Sequence, residues 1–211
     1  MNTAALAALT RLLEGNERFA SGRPSADAVE NRARRAELVG GQQPFAIVLG
    51  CSDSRVPAEL VFDQGLGDLF VIRVAGNIVA PSQVGSVEFA AERFKTRLVM
   101  VLGHSQCGAI LATLEDLRST NGTPSRGLKS IVDRVRPSVE GLLRSGQPMD
   151  FDTLVHEAVR ANVRTAVQAL RHGSESIERL IAEEGLLVVG AEYFLESGRV
   201  HLFDGLGVPR D

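Results

Sequence analysis

The chain has 211 residues, of which 44% are hydrophobic and 23% charged, with a net charge of −3 and a pI of about 5.9. These values are typical of a globular domain with a real core, and they exclude disorder as the default state. The acidic balance argues against nucleic acid as a partner. No apolar run approaches the roughly 18 residues that a membrane helix needs, so we expect no membrane partner either.

The N-terminal segment lacks the pattern of a secretory signal, because no basic residue precedes the apolar stretch Ala4–Leu9 and Arg11 follows it closely. We therefore expect a cytoplasmic protein whose two cysteines are thiols. Residues 1–44 combine an amphipathic helical pattern with prolines, arginines and Gly40-Gly41. They predict an N-terminal helical arm, and residues 45–211 the main domain.

Short apolar runs rich in β-branched residues follow the arm, each bounded by glycine or a charge, and they predict buried parallel strands. They cover Phe45–Leu49, Leu69–Ile72, Leu98–Leu102 and Leu186–Val189. Helical spacing of apolar residues predicts helices over 81–94, 154–170 and 177–181. Residues 118–127 are typical of an exposed loop.

The end of the chain differs from the alternating part. Residues 191–194 and 199–203 flank the turn signal Glu196-Ser-Gly, which predicts a hairpin at the edge of the sheet. The sequence as a whole therefore predicts an α/β fold with a central, mainly parallel sheet flanked by helices.

Two segments carry candidate chemistry, Cys51-Ser-Asp53-Ser-Arg55 and Gly103-His104-Ser-Gln-Cys107-Gly108. Each follows a predicted buried strand, and ligands bind beyond the carboxyl ends of strands in an open parallel sheet. Two cysteines and one histidine with an open fourth position form a known catalytic zinc arrangement.

Other interpretations stay open at this point. Each cysteine can be a small buried apolar residue, the two can form a disulfide, and His104 can be a hydrogen-bonded core histidine. Asp53 and Arg55 can form a surface ion pair. The remaining histidines, His156, His172 and His201, are expected to be structural or exposed.

The paired motifs Cys-x-Asp-x-Arg and His-x-x-Cys, about 50 residues apart, resemble those of a β-class carbonic anhydrase. The similarity extends over nearly the whole chain and includes Glu14-Gly-Asn-Glu-Arg-Phe, the segment from Phe62 to Phe70, and Arg73-Val-Ala-Gly-Asn77. The resemblance implies a zinc lyase that interconverts carbon dioxide and bicarbonate by attack of zinc-bound hydroxide.

The resemblance also implies roles for individual residues. Cys51, His104 and Cys107 would bind one Zn²⁺ per chain, and Asp53 and Arg55 would form a catalytic dyad. The substrate pocket would comprise Gln42, Phe70, Ala75, Phe89 and Gly108. Ala75 and Phe89 stand where plant-type members often have valine and tyrosine.

The resemblance further implies a homodimer embraced by the N-terminal arms, and assembly into a tetramer. The sequence alone leaves two rival functions open. The same fold can hydrolyse carbon disulfide or carbonyl sulfide, and a zinc-stabilised binding module would use four protein ligands without turnover.

Overall fold

The computed structural model describes residues 3–25, 32–118, 125–144 and 149–205. Its helices are α1 (Thr3–Ala20), α2 (Arg32–Glu37), α3 (Ala58–Val61), α4 (Pro81–Arg93), α5 (Gly108–Arg118), α6 (Arg126–Arg144), α7 (Phe151–Arg171) and α8 (Glu175–Glu183). Its strands are β1 (Ala46–Gly50), β2 (Leu69–Arg73), β3 (Leu98–His104), β4 (Leu187–Tyr193) and β5 (Val200–Asp204). Short 3₁₀ helices cover Leu38–Gly40 and Ala75–Asn77.

The strands form one five-stranded sheet in the order β2-β1-β3-β4-β5. The first four strands are parallel, and β5 returns antiparallel to β4 through the turn that contains Gly198 at a φ of 72°. The predicted mainly parallel sheet with an edge hairpin is therefore confirmed.

Local signals set the ends of several helices. Pro81 occupies the first turn of α4, where its missing N–H costs nothing. Asp150 caps α7 by accepting a hydrogen bond from Thr153 N at 2.8 Å, and Ser174 caps α8 in the same way. The helix α7 ends before His172 and Gly173, as the sequence predicts.

Apolar side chains cover both faces of the sheet. The arm helix α1 packs on one face through Leu9 and Leu12, and α4, α7 and α8 cover the other. A third cluster, built by α5, α6 and α7, surrounds Cys51 and Cys107. The arm therefore packs on the sheet of its own chain, and the carboxyl ends of β1 and β3 enter an apolar environment.

One glycine lets α7 approach the sheet beside the motif that contains His104. A Cβ atom on Gly103 would lie 2.5 Å from Val163 Cγ2 and 3.1 Å from Val159 Cγ1. Real carbon atoms do not approach so closely, so any side chain here would push the helix away. Gly103 thus fixes the packing behind the end of β3.

Two sequence predictions need adjustment, and two helices were missed. Strand β2 is only partly buried, because it lies at the edge of the sheet in the described chain. Helices α5 and α6 were not predicted. Of the predicted loop 118–127, Arg118 ends α5, Arg126 begins α6, and residues 119–124 lie outside the described ranges.

Candidate metal centre

Three donor side chains meet where β1 and β3 end. Cys51 directly follows β1, His104 is the last residue of β3, and Cys107 lies just before α5. One donor atom from each residue lies within 4.8 Å of the other two, and all three residues are buried. Both cysteines are free thiols, so the disulfide interpretation does not apply to this structure. Parallel strand topology thus brings together residues 56 positions apart in the sequence.

The two sulfur atoms are held as an unequal pair. The hydrogen bond from Cys107 lowers the pKa of Cys51 to about 4, against the effect of burial, with help from Gly76 N–H at 3.3 Å. The same contact with Cys51 raises the pKa of Cys107, as does burial, although N–H groups at the start of α5 oppose it. A second thiolate beside the first is unfavourable in this buried site without a cation to neutralise it.

The imidazole of His104 is oriented for coordination. Its Nδ1 lies 2.9 Å from the carbonyl oxygen of Ser105. Because a carbonyl can only accept, Nδ1 carries the proton and Nε2 keeps its lone pair. Nε2 is buried and has no hydrogen-bond partner among the described residues. An unpartnered nitrogen that faces two sulfur atoms is typical of a metal ligand whose other nitrogen fixes the tautomer.

Asp53 and Arg55 form a bidentate pair beside the three donors. Arg55 donates from Nε to Asp53 Oδ1 at 2.9 Å and from Nη2 to Oδ2 at 2.7 Å, and its backbone N–H also reaches Oδ1. These hydrogen bonds hold the pKa of Asp53 well below its usual range. Asp53 Oδ2 lies 4.0 Å from His104 Nε2. An ionised carboxylate therefore faces the donor cluster on its solvent side.

Arg73 is a positioning residue whose role the sequence did not predict. From the end of β2 it donates to the carbonyl oxygen of Cys51 at 3.0 Å and to that of Asp53 at 2.6 Å. It thereby holds the backbone of the loop that carries both side chains. The register of the two parallel strands places Gly50 of β1 opposite Arg73 of β2. This register is the feature from which the role of Arg73 could have been inferred.

The predicted pocket residues divide into two groups. Ala75 precedes Gly76, which contacts Cys51 Sγ, and Gly108 follows Cys107, so both lie at the donor cluster. Phe70 lies opposite Ile47, which is four residues before Cys51 in the chain. Phe70 therefore lies about 13 Å from the level of Cys51, measured along the strands. Phe89 packs against Phe70 with 6.1 Å between the ring centroids.

Gln42 lies near these rings and away from the donors. It lines a cavity together with Phe94, whose ring also packs on Phe70 at 6.1 Å. We call the surface formed by Gln42, Phe70, Phe89 and Phe94 the aromatic face. Within one chain the structure does not bring the aromatic face to the donor cluster.

The residues present fit a zinc ion. Two sulfur donors and one imidazole nitrogen suit zinc better than magnesium or calcium, and three protein ligands leave a fourth position open. His104 Nε2 is buried without a hydrogen-bond partner among the described residues, and a bound cation would stabilise the second thiolate that burial and Cys51 disfavour. Among the described residues this is the one cluster of at least three such donors within coordinating reach.

Comparisons with known proteins agree with this geometry. The family model described as carbonic anhydrase matches residues 46–200. Carbonic anhydrase 2 of Mycobacterium tuberculosis is 41% identical over 98% of this chain and 96% of its own length. A carbonic anhydrase of Mycolicibacterium smegmatis is 40% identical over 98% of this chain and 97% of its own.

A solved structure shares the fold as well. One of the tetrameric β-carbonic anhydrases of the ascomycete Sordaria macrospora superposes with a TM-score of 0.75 at 25% identity. The match covers 95% of this chain and all of the other. With the family model, the relatives and the fold in agreement, this chain belongs to the β-class carbonic anhydrase family.

Proposed function

We propose that this chain catalyses the reversible hydration of carbon dioxide to bicarbonate and a proton, with one zinc ion held by Cys51, His104 and Cys107. The observation that carries the proposal is the buried three-donor cluster with the Asp53 carboxylate on its open side. Relatives that match the whole chain and are named carbonic anhydrases support it.

The metal chemistry requires an open coordination position on the zinc ion. Zinc bound by three protein ligands lowers the pKa of a coordinated water to about 7, so a nucleophile is available at neutral pH. The two cysteines would balance the charge of the ion, and Gly76 N–H would support Cys51 from outside the coordination sphere. The Ser105 carbonyl would keep His104 in the tautomer that coordinates through Nε2.

The dyad would orient the attacking oxygen. Asp53 remains ionised through the neutral pH range because Arg55 stabilises its charged form. An ionised carboxylate can only accept a hydrogen bond, so Asp53 Oδ2 would accept a hydrogen bond from the attacking oxygen and thereby turn a lone pair of that oxygen toward the substrate. Arg55 would hold the carboxylate by two parallel hydrogen bonds.

An apolar surface near the donors suits carbon dioxide. Ile78 is buried in the same cluster as the two cysteines, and Val74 and Ala109 pack against that cluster. Ala75 and Gly108 would complete the floor of the substrate pocket. Small side chains at these two positions leave room for a linear triatomic molecule next to the reacting oxygen.

We also propose that the chain works as a homo-oligomer. Several apolar side chains around the aromatic face are exposed, with Phe89 at 54%, Leu66 at 54% and Val39 at 86%. Exposure of this kind is typical of a surface that another chain covers. A second copy would place Gln42, Phe70 and Phe89 over its neighbour's metal centre, and the tetrameric Sordaria macrospora relative supports further assembly.

The free thiols favour a reducing compartment, and we therefore place the protein in the cytoplasm. In the described part of the chain, no helix combines the length and the hydropathy that crossing a bilayer demands.

Stopped-flow hydration of carbon dioxide with a pH indicator tests the proposal. The zinc-loaded chain should accelerate hydration strongly, and parallel assays with carbonyl sulfide and carbon disulfide should give far slower turnover. Faster hydrolysis of either sulfur compound would replace the proposed substrate. Absence of turnover with all three would indicate a binding module instead.

A further inference from the structure

One buried polar side chain on α7 has no place in the chemistry described so far. Asn162 is 3% exposed, and the other buried residues of α7 are alanine, valine and leucine. Its neighbours Val159 and Val163 lie against the end of β3, where a Cβ atom on Gly103 would meet them. Burying an amide in an apolar surface is unfavourable unless the amide forms hydrogen bonds, so the partner of Asn162 indicates what this residue does.

The partner of Asn162 is the carbonyl oxygen of Gly76. The Nδ2 atom of Asn162 donates to this oxygen at 2.8 Å, across 86 residues of sequence. Gly76 is the middle residue of the 3₁₀ helix Ala75–Asn77 and has a φ of 69° and a ψ of 18°. Asn77 follows with a φ of 43°, a left-handed conformation that is uncommon for residues with a side chain. Such a backbone persists only where the surrounding structure holds it.

The same glycine contacts the metal centre. The Gly76 N–H donates to Cys51 Sγ at 3.3 Å. A hydrogen bond to a thiolate is charge-assisted, and it stabilises the charged form that binds a metal. Gly76 therefore accepts a hydrogen bond from Asn162 and donates one to Cys51, and it links α7 to the ligand that follows β1.

Packing alone does not set the direction of this N–H group. Helices α5 and α6 lie close to the turn, since a Cβ atom on Gly76 would be 3.0 Å from Ala109 Cβ and 3.4 Å from Val135 Cγ2. Apolar contacts of this kind limit how far the turn can shift, but they have no preferred direction. The hydrogen bond from Asn162 is directional and acts on one backbone atom. It therefore fixes the orientation of Gly76 that packing leaves open.

We propose that Asn162 is a positioning residue for the metal centre: it holds the Gly76 carbonyl so that the Gly76 N–H points at Cys51 Sγ, and it thereby raises the affinity of the site for zinc. Asn162 acts through the turn and is not itself a ligand. This role rests on the proposed zinc site and not on turnover, so metal binding is what tests it.

The zinc affinity of the full chain at neutral pH, measured by competition with a chelating dye, tests the proposal. Asn162→Leu keeps the approximate size of the side chain but removes the N–H donor. Without that donor the turn can rotate, and the Gly76 N–H loses its fixed direction toward Cys51. Zinc affinity should therefore fall about fivefold.

Asn16→Leu is the matched control. Asn16 is also buried, at 5% exposed, and its Nδ2 also donates to backbone carbonyl oxygens, those of Val61 at 3.0 Å and Gly198 at 2.8 Å. These hydrogen bonds hold α1 to α3 and to the turn before β5. Both variants should lower the thermal midpoint, but Asn16→Leu should keep the zinc affinity of the parent chain. If Asn162→Leu does not fold, Asn162→Ala takes its place.

The amide resonance of Gly76 gives a readout that a loss of stability alone would not move. In the zinc-loaded parent chain its proton should resonate downfield, because the N–H group is hydrogen-bonded to sulfur. Asn162→Leu should move this resonance upfield, and Asn16→Leu should leave it in place. Two-dimensional ¹H–¹⁵N spectra of the deuterated protein measure both positions.

Lower zinc affinity together with an upfield Gly76 resonance, in the Asn162 variant alone, would support the proposal. Unchanged affinity in that variant, equal losses in the Asn162 and Asn16 variants, or an unmoved Gly76 resonance would each overturn it and leave the proposed zinc site in place. A parent chain that binds no zinc would overturn the zinc site itself, and the role of Asn162 with it.

Discussion

The metal centre and the aromatic face lie on the same sheet, yet a single chain buries only the metal centre. At the metal centre Cys51, His104 and Cys107 are 5% exposed or less. On the aromatic face Phe89 is 54% exposed, and the rings contact one another. The ends of adjacent parallel strands converge within a chain, whereas side chains on an edge strand depend on whatever covers that edge. Substitutions at the centre should therefore act on the single chain, and substitutions near the face should act through assembly.

The largest effect should come from Cys107→Ser. Serine is a poor zinc ligand, so bound zinc should fall from one ion to less than about a tenth of an ion per chain. Hydration activity should fall at least a hundredfold, about 3 kcal/mol in transition-state stabilisation. Metal analysis and stopped-flow assays on the same sample measure both effects.

Ser52→Ala, in the same loop as Cys51 but exposed, provides the control and should keep its zinc. The thermal midpoint of Cys107→Ser should also fall, because the ion links the ends of two strands. Full zinc content in Cys107→Ser would remove this residue from the ligand set.

Asp53→Asn should separate metal binding from turnover. The amide keeps the shape of the side chain, but it presents one acceptor oxygen instead of two and carries no charge. We expect zinc content to stay near one per chain while kcat falls about a hundredfold. Asp133→Asn, which breaks an exposed pair with Lys129, should leave both quantities unchanged. Parent-level kcat in Asp53→Asn would make the dyad purely structural.

Arg73→Ala should have a smaller effect, which also acts on the metal centre. Without its two hydrogen bonds the loop from Cys51 to Asp53 loses support, and zinc affinity should fall about tenfold. Competition with a chelating dye measures the affinity, and Arg134→Ala on the exposed side of α6 is the control. Unchanged affinity would mean that Arg73 stabilises only the junction between β1 and β2.

Val39→Asp tests whether the exposed apolar surface around the aromatic face is an interface between chains. Val39 is 86% exposed in the single chain, so the fold should tolerate aspartate there. A charge in an apolar interface should shift the assembly toward monomer, and kcat/KM should fall about fivefold, about 1 kcal/mol. Light scattering gives the mass, and Leu128→Asp on α6 is the control. An unchanged mass would place the interface elsewhere.

The sequence predicted the fold and the donor cluster because both depend on local patterns. Apolar runs marked the strands, and Cys51 and His104 stand where those runs stop. Helix α6 escaped prediction because Pro137 lies within it, and proline normally argues against a helix interior. In the structure Val132, Val135 and Val139 nevertheless form its buried face.

The missed contacts depend on register and tertiary packing. Arg73 reaches the loop after β1 only because β2 pairs with Gly50 opposite Arg73. His156 was expected to be structural or exposed, and it is a partly exposed residue of α7. Its partner Glu192, 36 residues later in the chain, was not predicted. No periodic pattern in either segment shows that pairing.

The most direct test of the central claim is a zinc titration of the metal-free chain, with carbon dioxide hydration followed by stopped flow at each step. Activity should rise linearly with added zinc and level off at one ion per chain, and Cys107→Ser should show no such rise. A chain that binds one zinc ion through these residues and still does not accelerate hydration would contradict the account.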